Sequence, residues 1–264
     1  LEALSQYLKD YPEGKYALQA SFFAGQLFEE KKDMKDAAAK YIYVVNKVPN
    51  KYAERAMLFM ARYYYFDEKK YDTAAVYYQK LKSYSTNNEN KLEAMRGLLR
   101  CQYQLRQWTE ALSNAQDILS SKSAGMDDKI FAYMITGKNA QLSNDCTAAI
   151  AAYKNVVQAS KAAYGAEARY EIAHCLFQQE RLSDAEKAAF EVINKTGSYE
   201  DWVTRSYLLL GDIYLKQKDY FNAKATFKSV AENSNVEQFK KEAGEKYKSA
   251  EEAESGQSKV ENNY

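Results

Sequence analysis

The chain has 264 residues, of which 28% are charged and 14% aromatic, and its 37 basic and 36 acidic side chains leave a net charge of +1. A nucleic-acid surface usually carries a basic excess on one face, so charges this balanced and interspersed point away from that partner. With 2 prolines, 10 glycines and no run of 18 apolar residues, long helices joined by short turns are expected and a membrane span is not.

In chain order, residues 1–10 (Ala3, Leu4, Tyr7) read as the second helix of a unit whose first half lies upstream. Six helix pairs follow at 14–48, 51–85, 90–121, 127–160, 165–195 and 200–233. Polar linkers separate them, the most polar at Tyr84–Asn90 and the next at Ser120–Gly125. After Asn235, read as an N-cap, Val236, Phe239, Ala243 and Tyr247 recur at helical spacing, which predicts a capping helix over 235–250. Residues 251–264 are rich in Glu, Ser, Asn and Lys and are expected to fray.

One phrase recurs in every pair. Ala37, Ala74, Ala111, Ala149, Ala185 and Ala223 are separated by 37, 37, 38, 36 and 38 residues. Four residues on stand Tyr41, Tyr78, Ala115, Tyr153, Ala189 and Phe227, and three beyond those stand Val44, Leu81, Ile118, Val156, Val192 and Val230. These spacings set all three positions on one helical stripe. Upstream, a second phrase ends on an aromatic or small residue: Phe28, Tyr65, Tyr103, Ala140, Phe177 and Tyr214. It lies nine residues before the alanine in four copies and eight in two, at Tyr103 and Phe177, where the turn is expected to be one residue tighter. A period between 20 and 50 residues signals a stacked solenoid. One unit fixes backbone at about 1–2 kcal/mol per residue and regains only about 1.5–3 kcal/mol per large buried side chain, so units are stable only when stacked.

The last copy, Tyr207-x2-Leu210-Gly211-x2-Tyr214 followed by Ala223-x3-Phe227, resembles the tetratricopeptide repeat. The first copy, with Gly25, Phe28, Ala37, Tyr41 and a closing Pro49, is similar. The resemblance implies an all-α, right-handed α-solenoid of about six helix-turn-helix repeats plus a C-terminal capping helix, as one domain over 1–250. The chain departs from the family in a longer period and in Arg62, Arg100 and His174, where the family prefers glycine. Those side chains put close helix approach in doubt in three copies. Tyr11–Ala17 also resembles the inter-repeat turn of bacterial cell-envelope members.

Nothing in the sequence has the spacing of a catalytic site. His174 is the only histidine, and it reads as an interface side chain. Gly137-Lys138 lacks the glycine five residues earlier that a phosphate loop needs, since Ala132 stands there. Cys101 and Cys175 hold matching places two units apart, about 20 Å at one helix diameter per unit, beyond disulfide reach. Free thiols, no metal, no cofactor and no enzymatic activity are therefore expected.

A protein or peptide partner is the remaining expectation. The resemblance places the first helix of each pair on the concave side. The inner positions there are Phe22, Gln26, Phe59, Tyr63 and Phe66 toward the N-terminus and Lys138, Arg205 and Asp212 toward the C-terminus. An alternative is that the aromatics pack on the next unit. The lysine, arginine and asparagine clamp of the eukaryotic chaperone-binding members is absent at Phe22, Gln26, Phe59 and Tyr63. Two competing roles are a structural spacer within a larger repeat protein and, against the variability of the inner positions, an RNA-binding helical repeat.

Overall fold

The structure is a computed structural model that describes residues 1–261, with side chains through Gly256. Residues 262–264 of the polar tail lie outside the described residues. Among the described residues there are α-helices, one π-helical turn and no strand. The helices are α1 (Glu2–Asp10), α2 (Ala17–Glu30), α3 (Met34–Asn46), α4 (Ala53–Arg62), α5 (Tyr71–Tyr84), α6 (Asn88–Gln104), α7 (Trp108–Ser120) and α8 (Met126–Leu142). They continue with α9 (Cys146–Ala159), α10 (Ala163–Gln178), α11 (Leu182–Lys195), α12 (Glu200–Lys216), α13 (Tyr220–Asn233) and α14 (Glu237–Glu261). The π-helical turn, Tyr63–Asp67, follows α4 directly.

The chain divides into two compact units, Leu1–Ile135 and Thr136–Tyr264, with the division inside α8. In unit 1 each helix from α1 to α7 packs on the next, and α4 also touches α6. In unit 2 the same holds from α9 to α14, with α10 touching α12 and α12 touching α14. The first helices of successive pairs therefore lie side by side in each unit, as a solenoid requires. The beat alanines are the tight spots, because Ala37, Ala74, Ala111, Ala149, Ala185 and Ala223 are all fully buried.

A second beat coincides with the first and escapes sequence inspection. Each turn within a pair holds one non-glycine residue in the left-handed region: Lys32, Lys69, Arg106, Asn144, Glu180 and Lys218, with φ between 53° and 63°. Each stands five residues before its alanine. The next N–H donates to the carbonyl five residues back, from Asp33 to Phe28, Gln107 to Gln102, Asp145 to Ala140, Arg181 to Leu176 and Asp219 to Tyr214. This closes the helix C-terminus in the Schellman manner. Asp33, Asp145 and Asp219 then cap the following helix by accepting from the backbone N–H three residues on.

These bonds correct the expected register. The third and fifth turns are as long as the others, and the residues in line with Phe28 there are Gln102 and Leu176. Tyr103 and Phe177 lie one residue further along. In the second pair the π-helical turn absorbs one extra residue, so Lys70 N–H reaches back six positions to the Tyr64 carbonyl. Counted from the turns, the helix-crossing positions are Gly25, Ala61, Leu99, Gly137, Ala173 and Gly211. Arg62, Arg100 and His174 each sit one residue past the crossing, so they do not hold the helices apart. Ala61, Leu99 and Ala173 are buried to 1% exposure or less.

Side-chain size is complementary at the glycine crossings. A Cβ added to Gly137 or Gly211 would come closer than 3.0 Å to the ring of Tyr153 or Phe227, and one added to Gly25 would stand 3.0 Å from Tyr41. Where the first helix carries Leu99 or Ala173, the second carries Ala115 or Ala189, within the same cores. Tyr78 finds room at Gly97 of the following pair, where an added Cβ would also meet its ring closer than 3.0 Å.

The capping helix starts at Glu237, so Val236 rather than Asn235 stands at its N-terminal boundary, and Val236 is exposed. Its Phe239, Ala243 and Ala250 pack with Leu208, Phe227 and Val230. It continues past the expected end at 250 as far as Glu261.

Candidate functional site

In unit 1 most of the aromatic residues read as partner-binding are core residues. Phe22 stacks on Tyr52 at 4.4 Å between ring centroids and meets the Tyr41 ring at 5.9 Å. Phe59 lies 4.6 Å from Tyr41 and stacks on Tyr63 at 6.2 Å. Phe22 and Phe59 are each 7% exposed. Tyr63 is buried with its hydroxyl donating to Glu68 at 2.8 Å. Rings at this depth present little area to a ligand. Phe66 differs, for it is 60% exposed and touches Tyr65 edge-on. Gln26 is half-buried. A wide depression of about 780 Å³ in unit 1 involves none of these residues; Asn50, Lys51, Glu54, Leu58 and Tyr84 are among its walls.

Charged residues on the first helices brace neighbouring pairs. In unit 1 the Arg55 guanidinium donates to both Glu29 oxygens at 2.7 and 2.9 Å, Arg62 to Glu93 at 2.6 Å, and Arg96 to Asp128 at 2.7 and 2.8 Å. The bidentate bond to Asp128 holds Arg96 above the ordinary arginine pKa against its partial burial. In unit 2 the Lys138 ammonium sits between Glu167 at 2.8 Å and Glu171 at 2.6 Å. Burial works against its charge, and the two carboxylates outweigh burial, raising its pKa above that of a free lysine. Lys138 is therefore placed as an internal tie between α8 and α10.

Arg205 and Asp212 come together in unit 2. They line a cavity of about 230 Å³ formed by Tyr170, His174 and Phe177 of α10, Arg205, Leu208, Leu209 and Asp212 of α12, and Glu242 and Lys246 of α14. The helical spacing of seven puts Arg205 and Asp212 on one face. The Arg205 guanidinium lies over the Trp202 ring at 5.6 Å and the Phe239 ring at 5.0 Å, a cation–π arrangement that orients the fork. Among the described residues no carboxylate lies within ion-pair distance of it. His174 stacks on Tyr170 at 6.1 Å, and Tyr170 touches Trp202 at 5.5 Å. Lys246 donates to both Asp212 oxygens at 2.7 Å. Burial raises the Asp212 pKa above the ordinary carboxylate value, with Lys246 pulling against it. Burial also pushes the Tyr170 hydroxyl up to about 12.

The sequence singles out His174 as an interface side chain but not Tyr170, Glu242 and Lys246. They become visible only when α10, α12 and α14 lie side by side; the residue-past-glycine position shared by His174 and Asp212 is the one signal that links them. Among the described residues no group of His, Cys, Asp and Glu side chains suits a metal ion, and no helix is long and apolar enough to cross a membrane.

Residues 137–199 and 205–234 each match a family model described as tetratricopeptide repeat. No curated protein matches the chain. Among solved structures it is similar to a tetratricopeptide repeat protein from Parabacteroides merdae, at 15% identity over 94% of this chain and 90% of that one, with a TM-score of 0.46. It is similar to a thermophilic tetratricopeptide repeat protein of Thermus thermophilus at 17% identity, 75% and 98% coverage and a TM-score of 0.47. It is also similar to the TPR2AB domain of yeast Sti1 in a complex with pHSP90, at 14% identity, 90% and 100% coverage and a TM-score of 0.39. Together with the paired-helix beat, these two matches show that residues 137–199 and 205–234 carry tetratricopeptide repeats.

Proposed function

We propose that the protein is a non-catalytic interaction module that holds a peptide segment of a partner protein in the cavity between α10, α12 and α14. Tetratricopeptide repeats commonly mediate protein–protein interaction, which sets the class of function. The observation that carries the site is the Arg205 guanidinium, oriented by two rings and left without a carboxylate beside Tyr170 and His174. Aromatic and arginine side chains in partly desolvated pockets are where binding energy concentrates. Asp212 and Glu242 favour a segment that offers a donor or cation next to an acceptor.

The test is crosslinking of the full-length protein in its own cells, followed by capture with Arg205→Ala and His174→Ala. Both changes are expected to weaken a captured partner at least about tenfold, the loss of roughly 1.4 kcal/mol, while the helical melt is kept. A partner held equally by both variants would move the site elsewhere. The ion-pair bracing favours a second reading, a spacer whose inner charges hold its own units together. In that case the native protein captures nothing.

A further inference from the structure

Three cysteines are free and buried: Cys101, Cys146 and Cys175. Two of them meet. Cys146 is the first residue of α9, and its thiol donates to Gln178 Oε1 at 3.2 Å. Gln178 lies three residues beyond Cys175, on the same face of α10. The Cys175 sulfur accepts from Gln141 Nε2 at 3.4 Å, and the neighbouring Cys146 thiol adds to burial in raising the Cys175 pKa. The pair lies wholly within unit 2.

We propose that Cys146 and Cys175 form a redox-modification site, a thiol pair that closes to a disulfide and ties α9 to α10. The site is independent of what the cavity binds. Access fixes the order of events. Cys175 is fully buried, whereas Cys146 is 8% exposed behind the exposed turn Ser143–Asp145. The co-reactant is a small-molecule disulfide of the glutathione type. The Cys146 thiolate attacks it, the oxidant's S–S bond breaks, a mixed disulfide forms at Cys146 and one thiol leaves. The Cys175 thiolate then attacks the Cys146 sulfur and displaces the second thiol. The pair loses two protons and two electrons, and the oxidant is reduced to two thiols. Cys175 is fully buried, with its thiol pushed by burial up to about 12, so it does not meet the oxidant itself and serves as the resolving thiol. Cys101, fully buried and with its thiol also pushed by burial to about 12, has no cysteine beside it among the described residues and is the internal control.

The experiment incubates the full chain with oxidised glutathione, blocks remaining thiols and maps peptides without reduction. The expected result is a Cys146–Cys175 linked pair with a mass about 2 Da lower, a free Cys101, and a melting temperature raised by several degrees, because closing a loop of this length constrains the unfolded chain. Cys175→Ser is expected to trap glutathione on Cys146, and Cys146→Ser to leave Cys175 unmodified. The proposal is overturned if wild-type Cys146 stops at the mixed disulfide, if neither residue reacts, or if Cys101 takes part. The wild-type map decides even if a variant does not fold.

Discussion

In unit 1 the rings of Tyr52, Phe22, Tyr41, Phe59 and Tyr63 follow one another at centroid distances between 4.4 and 6.2 Å. In unit 2 the corresponding region holds a lysine between two glutamates and a cavity lined by Arg205, Asp212, Glu242 and Lys246. The same paired-helix beat runs through both. The difference teaches that the repeat fixes only the crossings and the turns. What fills the first-helix face is free to vary: in unit 1 a run of rings packs there beside ion pairs, and in unit 2 charged side chains line the cavity.

The largest expected effects separate the two kinds of filling. Phe59→Ala opens a cavity in unit 1 and should cost about 3–5 kcal/mol. Lys138→Ala leaves Glu167 and Glu171 facing each other in unit 2 and should cost about 3 kcal/mol. Denaturant melts measure both. Adding Glu171→Gln should recover much of the second loss and none of the first; no recovery would mean that Lys138 acts through packing. Next come the crossings that both units share. Ala74→Trp in unit 1 and Ala149→Trp in unit 2 should each overpack by about 1–3 kcal/mol or more, while exposed Ala253 tolerates the same change. Equal melting points for all three would break the common beat.

Alkali gives a smaller effect that sharpens the comparison. Burial raises the hydroxyl pKa of Tyr41 and Tyr78 in unit 1 above that of a free tyrosine. Unfolding therefore releases protons above the free-tyrosine value, and stability is full below about pH 10 and declines as pH rises beyond it. Tyr78→Phe should flatten that decline, and an unchanged pH profile would remove Tyr78 from the account. The smallest effect is a gain. Lys218 holds φ at 63°, where glycine carries no Cβ strain, so Lys218→Gly should stabilise unit 2 by up to about 1 kcal/mol.

The alanine beat made the helix pairs legible from sequence, because a methyl-sized gap admits few residue types. The register at Tyr103 and Phe177 was not legible, because the turns mark it with Lys, Arg, Asn or Glu in the left-handed region rather than with glycine. The run Tyr63-Tyr64-Tyr65-Phe66 hid the extra residue of the π-helical turn in the same way. Of the candidate site, Arg205 and Asp212 could be named from their helical face. Their neighbours Tyr170 and Lys246 could not, since Tyr170 stands 35 residues before Arg205 and Lys246 34 after Asp212, and only the stacked helices bring them together.

Within three pairs a glycine of the first helix faces a ring of the second, Gly25 with Tyr41, Gly137 with Tyr153 and Gly211 with Phe227, and the last of these tests most directly whether that fit holds a pair together. A double-mutant cycle of Gly211→Ala and Phe227→Leu, followed by denaturant unfolding, reads the coupling between them. Gly211→Ala should cost at least about 1 kcal/mol less in the Phe227→Leu background than beside the native ring, since the smaller side chain leaves room for the new Cβ. Equal costs in the two backgrounds would contradict it.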